Sequence, residues 1–201
     1  MQDLIDGYRR YREKRWPELR MLHRYLAERG QSPNVMVIAC SDSRVDPSTI
    51  FDVGPGELFI VRNVANLAPP YEEGAGYHGV SAAIEFAVTR LKVATILVLG
   101  HAQCGGVAHA LAEHEHDGSF LDRWVGLLAP AKARIEQGSD DPVTALEYES
   151  IRVTLENLRT FPFVAAAIAE RGLTLAGARY GVADGVLEVL DPETGAFNAV
   201  V

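Results

Sequence analysis

The sequence predicts an α/β fold: a mostly parallel β-sheet flanked by helices, with a projecting N-terminal helical arm and a C-terminal antiparallel strand pair. Two observations predict the sheet. Its apolar runs of strand length are continuous rather than alternating, and segments with helical periodicity separate them. Strands covered on both faces need no polar alternation, so such runs are typical of a parallel sheet between two layers of helices.

The arm comprises residues 1–30. Leucines recur there at helical spacing, Pro17 is expected to divide the segment into two helical pieces, and Gly30 is expected to end it. The arm carries a net charge of +3, whereas residues 31–201 carry −11. A basic arm on an acidic body favours docking onto a second copy over binding to DNA, so we expect a homodimer or a larger even-numbered homo-oligomer.

The other elements are predicted in chain order from apolar runs, proline and glycine positions and capping residues. They are strands at 34–39, 58–61 and 95–99, a helix at 78–91, helices at 142–158 and 162–172, and strands at 173–180 and 186–190 that turn at Asp184 and Gly185.

Length and composition indicate one globular domain over residues 1–201, since the chain has 201 residues, 48% hydrophobic and 23% charged. No apolar run approaches the roughly 18 residues of a membrane helix, and the first residues lack the apolar core of a signal peptide. We therefore expect a cytoplasmic protein without a membrane partner. The net charge of −8 argues against a broad nucleic-acid surface.

The two cysteines point to a metal site. Cys40 ends the first predicted strand, and His101 and Cys104 follow the strand at 95–99. The carboxyl ends of parallel strands meet at one edge of a sheet, and two thiolates with one imidazole suit Zn²⁺. Taken singly, each cysteine could instead be a buried inert thiol. Three protein ligands leave a fourth position open, which is typical of catalytic zinc.

Asp42 and Arg44 lie beside Cys40 in the run VMVIACSDSRVDPS. Arg44 can hold the Asp42 carboxylate through two parallel N–H bonds, which would keep it ionised and off the metal. Two thiolates offset the charge of zinc, so we expect the coordinated water to have a pKa above the roughly 7 of three-histidine sites.

Four sequence blocks resemble the β-class carbonic anhydrases, in particular their plant-type branch: ACSDSRVDP (39–47), PGELFIVRNVAN (55–66), GVSAAIEFAV (79–88) and GHAQCGG (100–106). The resemblance implies one zinc ion per chain held by Cys40, His101 and Cys104. It also implies an Asp42–Arg44 dyad that orients hydroxide, and reversible hydration of CO₂ to bicarbonate.

The resemblance also implies substrate contacts. Gln31 matches a glutamine that hydrogen-bonds a substrate oxygen, Phe59 and Val64 match an apolar wall, and Gly105 would offer a backbone N–H. Phe86 replaces a tyrosine of the plant-type pattern, so one polar contact is lost. In that branch the site lies at a dimer interface, with wall residues from the partner and the N-terminal helices wrapped across it.

The sequence offers several routes for the proton that CO₂ hydration releases. Arg90 stands where some relatives carry a relay histidine, and buffer could take the proton directly. His109, His114 and His116 are alternatives near a polar loop.

A second branch of the family closes its site when bicarbonate occupies a pocket built from Trp, Arg and Tyr. Arg62 and Tyr180 match two of these residues, but Val37 stands at the Trp position. We therefore expect an open site without cooperative bicarbonate inhibition.

Two other functions fit the same motifs. The zinc site could hydrolyse carbonyl sulfide or carbon disulfide, which are linear like CO₂. Alternatively, the chain could be a non-catalytic zinc-binding module, although a structural zinc site would have no use for the Asp42–Arg44 pair.

Overall fold

The structure, a computed structural model, describes residues 1–74, 76, 78–112, 118–135 and 139–200. Its sheet has six strands in the order β2-β1-β3-β4-β5-β6. They are β1 Val35–Cys40, β2 Leu58–Asn63, β3 Thr95–His101, β4 Thr174–Tyr180, β5 Leu187–Leu190 and β6 Phe197–Ala199.

Strand directions confirm the predicted fold class. The first four strands are parallel, whereas β5 runs antiparallel to β4 and β6 antiparallel to β5. The predicted C-terminal strand pair is therefore present, and β6 extends it by a third strand that the sequence pattern did not predict. This strand has three residues, too few for a periodic signal.

Nine α-helices accompany the sheet in the described residues. They are α1 Gln2–Lys14, α2 Trp16–Arg29, α3 Pro47–Ile50, α4 Gly79–Glu85, α5 Gly105–Leu111, α6 Phe120–Val125, α7 Ala129–Lys132, α8 Pro142–Arg159 and α9 Pro162–Arg171. Asp141 caps α8 as predicted, because its carboxylate accepts the N–H of Thr144 at 3.0 Å.

Two predicted helices differ in detail. The N-terminal break falls at Arg15 rather than at Pro17, because Pro17 fits into the first turn of α2, where its missing N–H costs nothing. The helix predicted at 78–91 is α-helical only through Glu85 and continues as a π-helical segment, Phe86–Leu91.

The N-terminal arm packs mainly on itself. No residue of α1 or α2 is buried against the described chain, and Leu4 and Tyr8 are 72% and 61% exposed. Leu26 of α2 does contact the rest of the chain. Its side chain lies so close to Gly56 that a Cβ at that position would be 2.9 Å from it. Among the described helices none is both long and apolar enough to cross a membrane.

The sheet is covered on both faces. In β1, Met36 and Ile38 pack into one hydrophobic cluster, whereas Val37 and Ala39 pack into another on the opposite face. This double burial explains why the sequence shows a continuous apolar run there.

Helix α8 lies closely against β3 and β4. A Cβ on Gly100 would lie 2.8 Å from Ile151 Cδ1, and one on Gly177 would lie 2.7 Å from Ile151 Cγ2. Glycine at both positions therefore lets Ile151 pack directly onto the two strands, which brings α8 to the edge of the sheet where β3 ends.

Candidate metal centre

Three buried side chains meet at the carboxyl edge of the sheet. Cys40 is the last residue of β1, His101 is the last residue of β3, and Cys104 directly precedes α5. Their possible ligand atoms all lie within 4.8 Å of one another, and the residues are at most 5% exposed. The parallel pairing of β1 with β3 brings the strand ends together, as the sequence predicted.

The His101 ring is oriented for coordination. Its Nδ1 lies 2.8 Å from the carbonyl oxygen of Ala102, and because a carbonyl can only accept, Nδ1 carries the proton. The lone pair is then on Nε2, which is buried and has no hydrogen-bond partner among the described residues. Leaving such an atom unpaired is costly, and a metal ion coordinated by Nε2 would satisfy it.

The two thiols are free and in contact. Their Sγ atoms lie 3.9 Å apart, well beyond the roughly 2.05 Å of a disulfide bond. A hydrogen bond from Cys104 lowers the pKa of Cys40, whereas the same contact, together with burial, raises the pKa of Cys104. Two adjacent thiolates need a cation between them, so the set of two sulfurs and one imidazole nitrogen fits Zn²⁺.

Backbone N–H groups also face the sulfurs. The N–H groups of Asp42 and Ala65 favour the thiolate of Cys40, and those of Gly106 and Val107 favour that of Cys104. Ala65 adopts φ +62°, a left-handed conformation at the end of β2. A Cβ on Gly106 would lie 2.5 Å from Val64 Cγ1, so glycine is needed where α5 meets this segment.

Asp42 and Arg44 form the predicted pair. Asp42 Oδ1 accepts the backbone N–H and the Nε–H of Arg44, both at 2.9 Å, and Oδ2 accepts Nη2–H at 2.7 Å. These bonds, the side-chain ones first, hold the pKa of Asp42 well below its usual range. The carboxylate is therefore ionised at any pH at which the protein would work.

Arg44 also connects the two loops that carry the cysteines. Its Nη2 donates to the carbonyl oxygen of Gln103 at 3.1 Å. Gln103 has φ +57° and directly precedes Cys104. The guanidinium thus joins the segment after Cys40 to the segment before Cys104, a contact that sequence reasoning did not predict.

Arg62 holds the main chain around Cys40. It donates to the carbonyl oxygens of Cys40, at 2.8 Å, and of Asp42. A further contact reaches Asp46 Oδ2 at 3.4 Å. Sequence reasoning considered Arg62 only as part of a possible inhibitory pocket. Its position on β2, paired with Ala39 of β1, explains its reach.

A buried ion pair stands behind Cys104. Glu147 of α8 accepts the backbone N–H of Cys104 at 3.1 Å through Oε1, and its Oε2 accepts two bonds from Arg179 of β4 at 2.9 and 2.8 Å. The Glu147 side chain is 1% exposed. Sequence reasoning missed this carboxylate, although it shares a helix face with Ile151 and Leu158 at spacings of four and eleven residues.

Comparison with known proteins agrees with this site. The sequence model of the carbonic anhydrase family matches residues 35–187. Beta carbonic anhydrase 3 of Arabidopsis thaliana is 36% identical over 198 residues, covering 94% of this chain and 76% of that protein. The chain belongs to the carbonic anhydrase family. It is a zinc-dependent enzyme of the β class, which hydrates CO₂ reversibly, and the Cys40, His101 and Cys104 cluster is compatible with its zinc site.

Solved structures of β-carbonic anhydrases have the same fold. CcaA is 32% identical and superposes with a TM-score of 0.88, covering 100% of this chain and 99% of that one. Two tetrameric β-carbonic anhydrases from Sordaria macrospora were solved together. The matched chain is 29% identical, with a TM-score of 0.81 and coverage of 98% of both chains.

The residues expected to contact CO₂ lie in two places within one carbonic anhydrase chain. Val64 directly follows β2 and packs toward Gly106, and Gly105 directly follows Cys104, so both are beside the metal centre. Phe59 and Phe86 stack on each other, with ring centroids 5.8 Å apart.

Phe59 is remote from the metal edge of its own chain. It lies four residues before Asn63, which pairs with Cys40, and this spacing corresponds to roughly 13 Å along a strand. Gln31 is exposed in the segment that precedes β1.

The candidate proton-relay residues have different surroundings. His109 Nε2 lies 2.9 Å from Asp122 Oδ1, which links α5 to α6. Arg90 lies in the π-helical segment. His114 and His116 fall outside the described residues.

Proposed function

We propose that Cys40, His101 and Cys104 are the ligands with which this carbonic anhydrase holds zinc, and that Asp42 and Arg44 orient the nucleophile. The convergence of three buried donor atoms within 4.8 Å carries the proposal. The partnerless Nε2 of His101 supports it, because a purely structural histidine would be expected to use both ring nitrogens in hydrogen bonds.

Zinc, when bound, acts as a Lewis acid and lowers the pKa of water, so that hydroxide is available near neutral pH. The chain itself contributes orientation. Asp42 Oδ2 accepts one bond from Arg44 and keeps a lone pair that can accept a hydrogen bond from the hydroxyl of the attacking oxygen. Because Arg44 holds the carboxylate by three hydrogen bonds, Asp42 stays directed and does not become a fourth ligand.

We propose that a second copy of the chain completes the CO₂ pocket. Val64 and Gly105 would line it from the chain that holds the zinc, and Phe59, Phe86 and Gln31 would come from the partner. The distance of Phe59 from its own metal edge supports this division. The exposed arm supports an even-numbered assembly built on a dimer, and the Sordaria relatives are tetrameric.

We also propose that the site belongs to the open, plant-type branch. Val37 is fully buried in β1, where the closing branch has Trp, and Arg62 is engaged by the carbonyls of Cys40 and Asp42. Neither residue is then available to form a bicarbonate pocket.

We assign residues 1–201 to one domain that works in the cytoplasm. The domain assignment rests on one continuous sheet built from residues 35–199. Two free cysteines used as ligands fit a reducing compartment, where thiols are kept reduced.

Stopped-flow CO₂ hydration with a pH indicator, on protein whose zinc content has been counted, tests the function. We expect about one zinc per chain and a kcat/KM that rises with pH through a midpoint above roughly 7, since two thiolates offset the charge of zinc. Carbonyl sulfide and carbon disulfide are tested in parallel. A midpoint well below 7, or turnover of these two substrates without CO₂ hydration, would contradict the proposal.

A further inference from the structure

Glu147 is a carboxylate buried where the mechanism does not use it. It is 1% exposed, and it lies on α8, 43 residues from the Cys104 that it contacts. A buried carboxylate is strongly unfavourable unless it is paired and hydrogen-bonded. Both oxygens of Glu147 are bonded, Oε1 to the Cys104 N–H and Oε2 to Arg179.

Arg179 donates two hydrogen bonds to Oε2 of this carboxylate, and neighbouring side chains hold Arg179 in place. Its side chain is 12% exposed, and its guanidinium carbon lies 4.8 Å from the ring centre of Tyr148. Its Nη1 donates to Glu188 Oε2 at 3.0 Å, and Tyr148 donates to the same oxygen at 2.8 Å. The network therefore connects α8, β4 and β5 behind the metal centre.

The helix that carries Glu147 is also fixed against the sheet. Ile151, one helical turn further along α8, packs onto Gly100 and Gly177 at distances that leave no room for a side chain. Gly100 directly precedes His101. The helix that carries Glu147 is thus held against the strand that carries one proposed zinc ligand, while Glu147 itself holds the main chain of another.

We propose that Glu147, held by Arg179, is a positioning residue that keeps the Cys104 main chain in place and thereby tightens the binding of zinc. The inference rests on the ligand set proposed above. Cys104 follows Gln103, which has a left-handed backbone, and precedes a helix of seven residues. The Glu147 bond and the Arg44 bond to the Gln103 carbonyl hold this short segment from opposite sides of the Cys104 amide.

Zinc affinity of the full-length protein, measured by competition with a chromophoric chelator, tests the proposal. We expect Glu147→Ala to weaken zinc binding by about 10- to 100-fold, the range found when a partner of a metal ligand is removed. Glu147→Gln keeps an oxygen that can accept the Cys104 N–H, so its loss of affinity should be clearly smaller.

Glu149→Ala is the matched control. Glu149 lies on the same helix and also pairs with arginine, its Oε1 lying 3.0 Å from Arg152 Nη1, but it is 20% exposed and is not bonded to a proposed ligand. We expect its zinc affinity to stay within about twofold of the parent chain, because Glu149 pairs only with Arg152 and Arg134, and neither pair touches a proposed ligand.

A second readout separates positioning from general stability. In Co²⁺-loaded protein, the sulfur-to-cobalt absorption band should change in Glu147→Ala and not in Glu149→Ala. Equal zinc affinity in both variants would overturn the proposal, even if Glu147→Ala melts at a lower temperature. If Glu147→Ala does not fold, Arg179→Met releases the other oxygen of Glu147, and unchanged zinc affinity in that variant would also overturn it.

Cys104→Ser in the same assay distinguishes a failure of the proposed ligand set from a failure of the proposed role of Glu147. If this variant binds zinc as tightly as the parent chain, the proposed ligand set is wrong. If it loses zinc while Glu147→Ala retains full affinity, the ligand set stands and only the role of Glu147 is refuted.

Discussion

The metal edge of the sheet and the N-terminal arm are opposite kinds of surface. At the metal edge, Cys40, His101 and Cys104 are at most 5% exposed, and Asp42 is bonded by a neighbour in the same chain. In the arm, Leu4 is 72% exposed and no residue is buried against the described chain. The comparison teaches that a single chain brings the three proposed zinc ligands together by itself, whereas its arm leaves apolar side chains exposed, which is the surface that we propose a second copy covers.

Cys40→Ser should have the largest effect, because it removes one of the three proposed zinc ligands, all of which come from a single chain. We expect loss of zinc and a fall in CO₂ hydration of more than about 100-fold, since metal catalysis supplies several kcal/mol of charge stabilisation. Metal analysis and stopped-flow rates measure both. A variant that keeps zinc and rate would contradict the ligand assignment.

Asp42→Ala should keep zinc and lose about 100-fold in kcat/KM, because the attacking hydroxyl loses the hydrogen-bond acceptor that orients it. Arg44→Lys is the graded companion, because an ammonium group cannot reproduce the paired bonds of the guanidinium. We expect Arg44→Lys to lower kcat/KM by a smaller factor than Asp42→Ala does. Full activity in Asp42→Ala, at one zinc per chain, would show that the carboxylate does not orient the nucleophile.

The double variant Leu4→Glu/Tyr8→Glu tests the arm. Two buried charges would oppose burial of the exposed face, so sedimentation velocity should show smaller particles at micromolar concentration, with about one zinc per chain retained. Glu13→Gln, at another exposed position of α1, should leave the assembly unchanged. Unchanged particle size in the double variant would show that this face is not part of an interface.

Bicarbonate inhibition tests whether the site stays open. With Val37 in place of Trp and Arg62 bonded to the main chain, we expect a hyperbolic dose response and activity that persists below pH 8. A sigmoidal response, with activity collapsing below about pH 8, would indicate coupled inhibitory sites and refute the open assignment.

Gln31→Leu should have the smallest effect, because it would remove one hydrogen bond from the pocket that we propose the partner completes. Loss of one such bond corresponds to about a two- to tenfold fall in kcat/KM. Phe86→Tyr in the same background should recover part of the loss by adding a hydroxyl. No change in either variant would show that neither residue contacts substrate.

Some of the metal centre could be predicted because its contacts are local or follow from topology. Asp42 and Arg44 are two residues apart, so their pairing is visible in the sequence. Cys40 and His101 end parallel strands, and adjacent parallel strands bring their carboxyl ends to one edge. The continuous apolar runs were enough to predict those strands.

Other contacts could not be predicted because they join residues that are distant in sequence. They depend on where each side chain points in the folded chain. Arg44 reaches Gln103 across 59 positions, and Glu147 reaches Cys104 across 43. A glutamate on the apolar face of α8 indicates a buried carboxylate, which needs a hydrogen-bonded partner. The sequence pattern does not show that the partners are Arg179 and the Cys104 amide. The π-helical segment after Glu85 likewise has the same apolar spacing as an α-helix at this length.

The amino-acid sequence alone determined the α/β class, the strand ends at Cys40 and His101 with Cys104 three residues further on, and the local carboxylate–guanidinium pair. These features depend on periodicity and on neighbours in the chain. Only the tertiary structure decided that His101 Nε2 has no hydrogen-bond partner in the part of the chain that the structure describes, that Glu147 accepts the Cys104 N–H, and that Phe59 is remote from its own metal edge. Those outcomes depend on how α8 packs on β3 and β4 and on strand register, which no local pattern encodes.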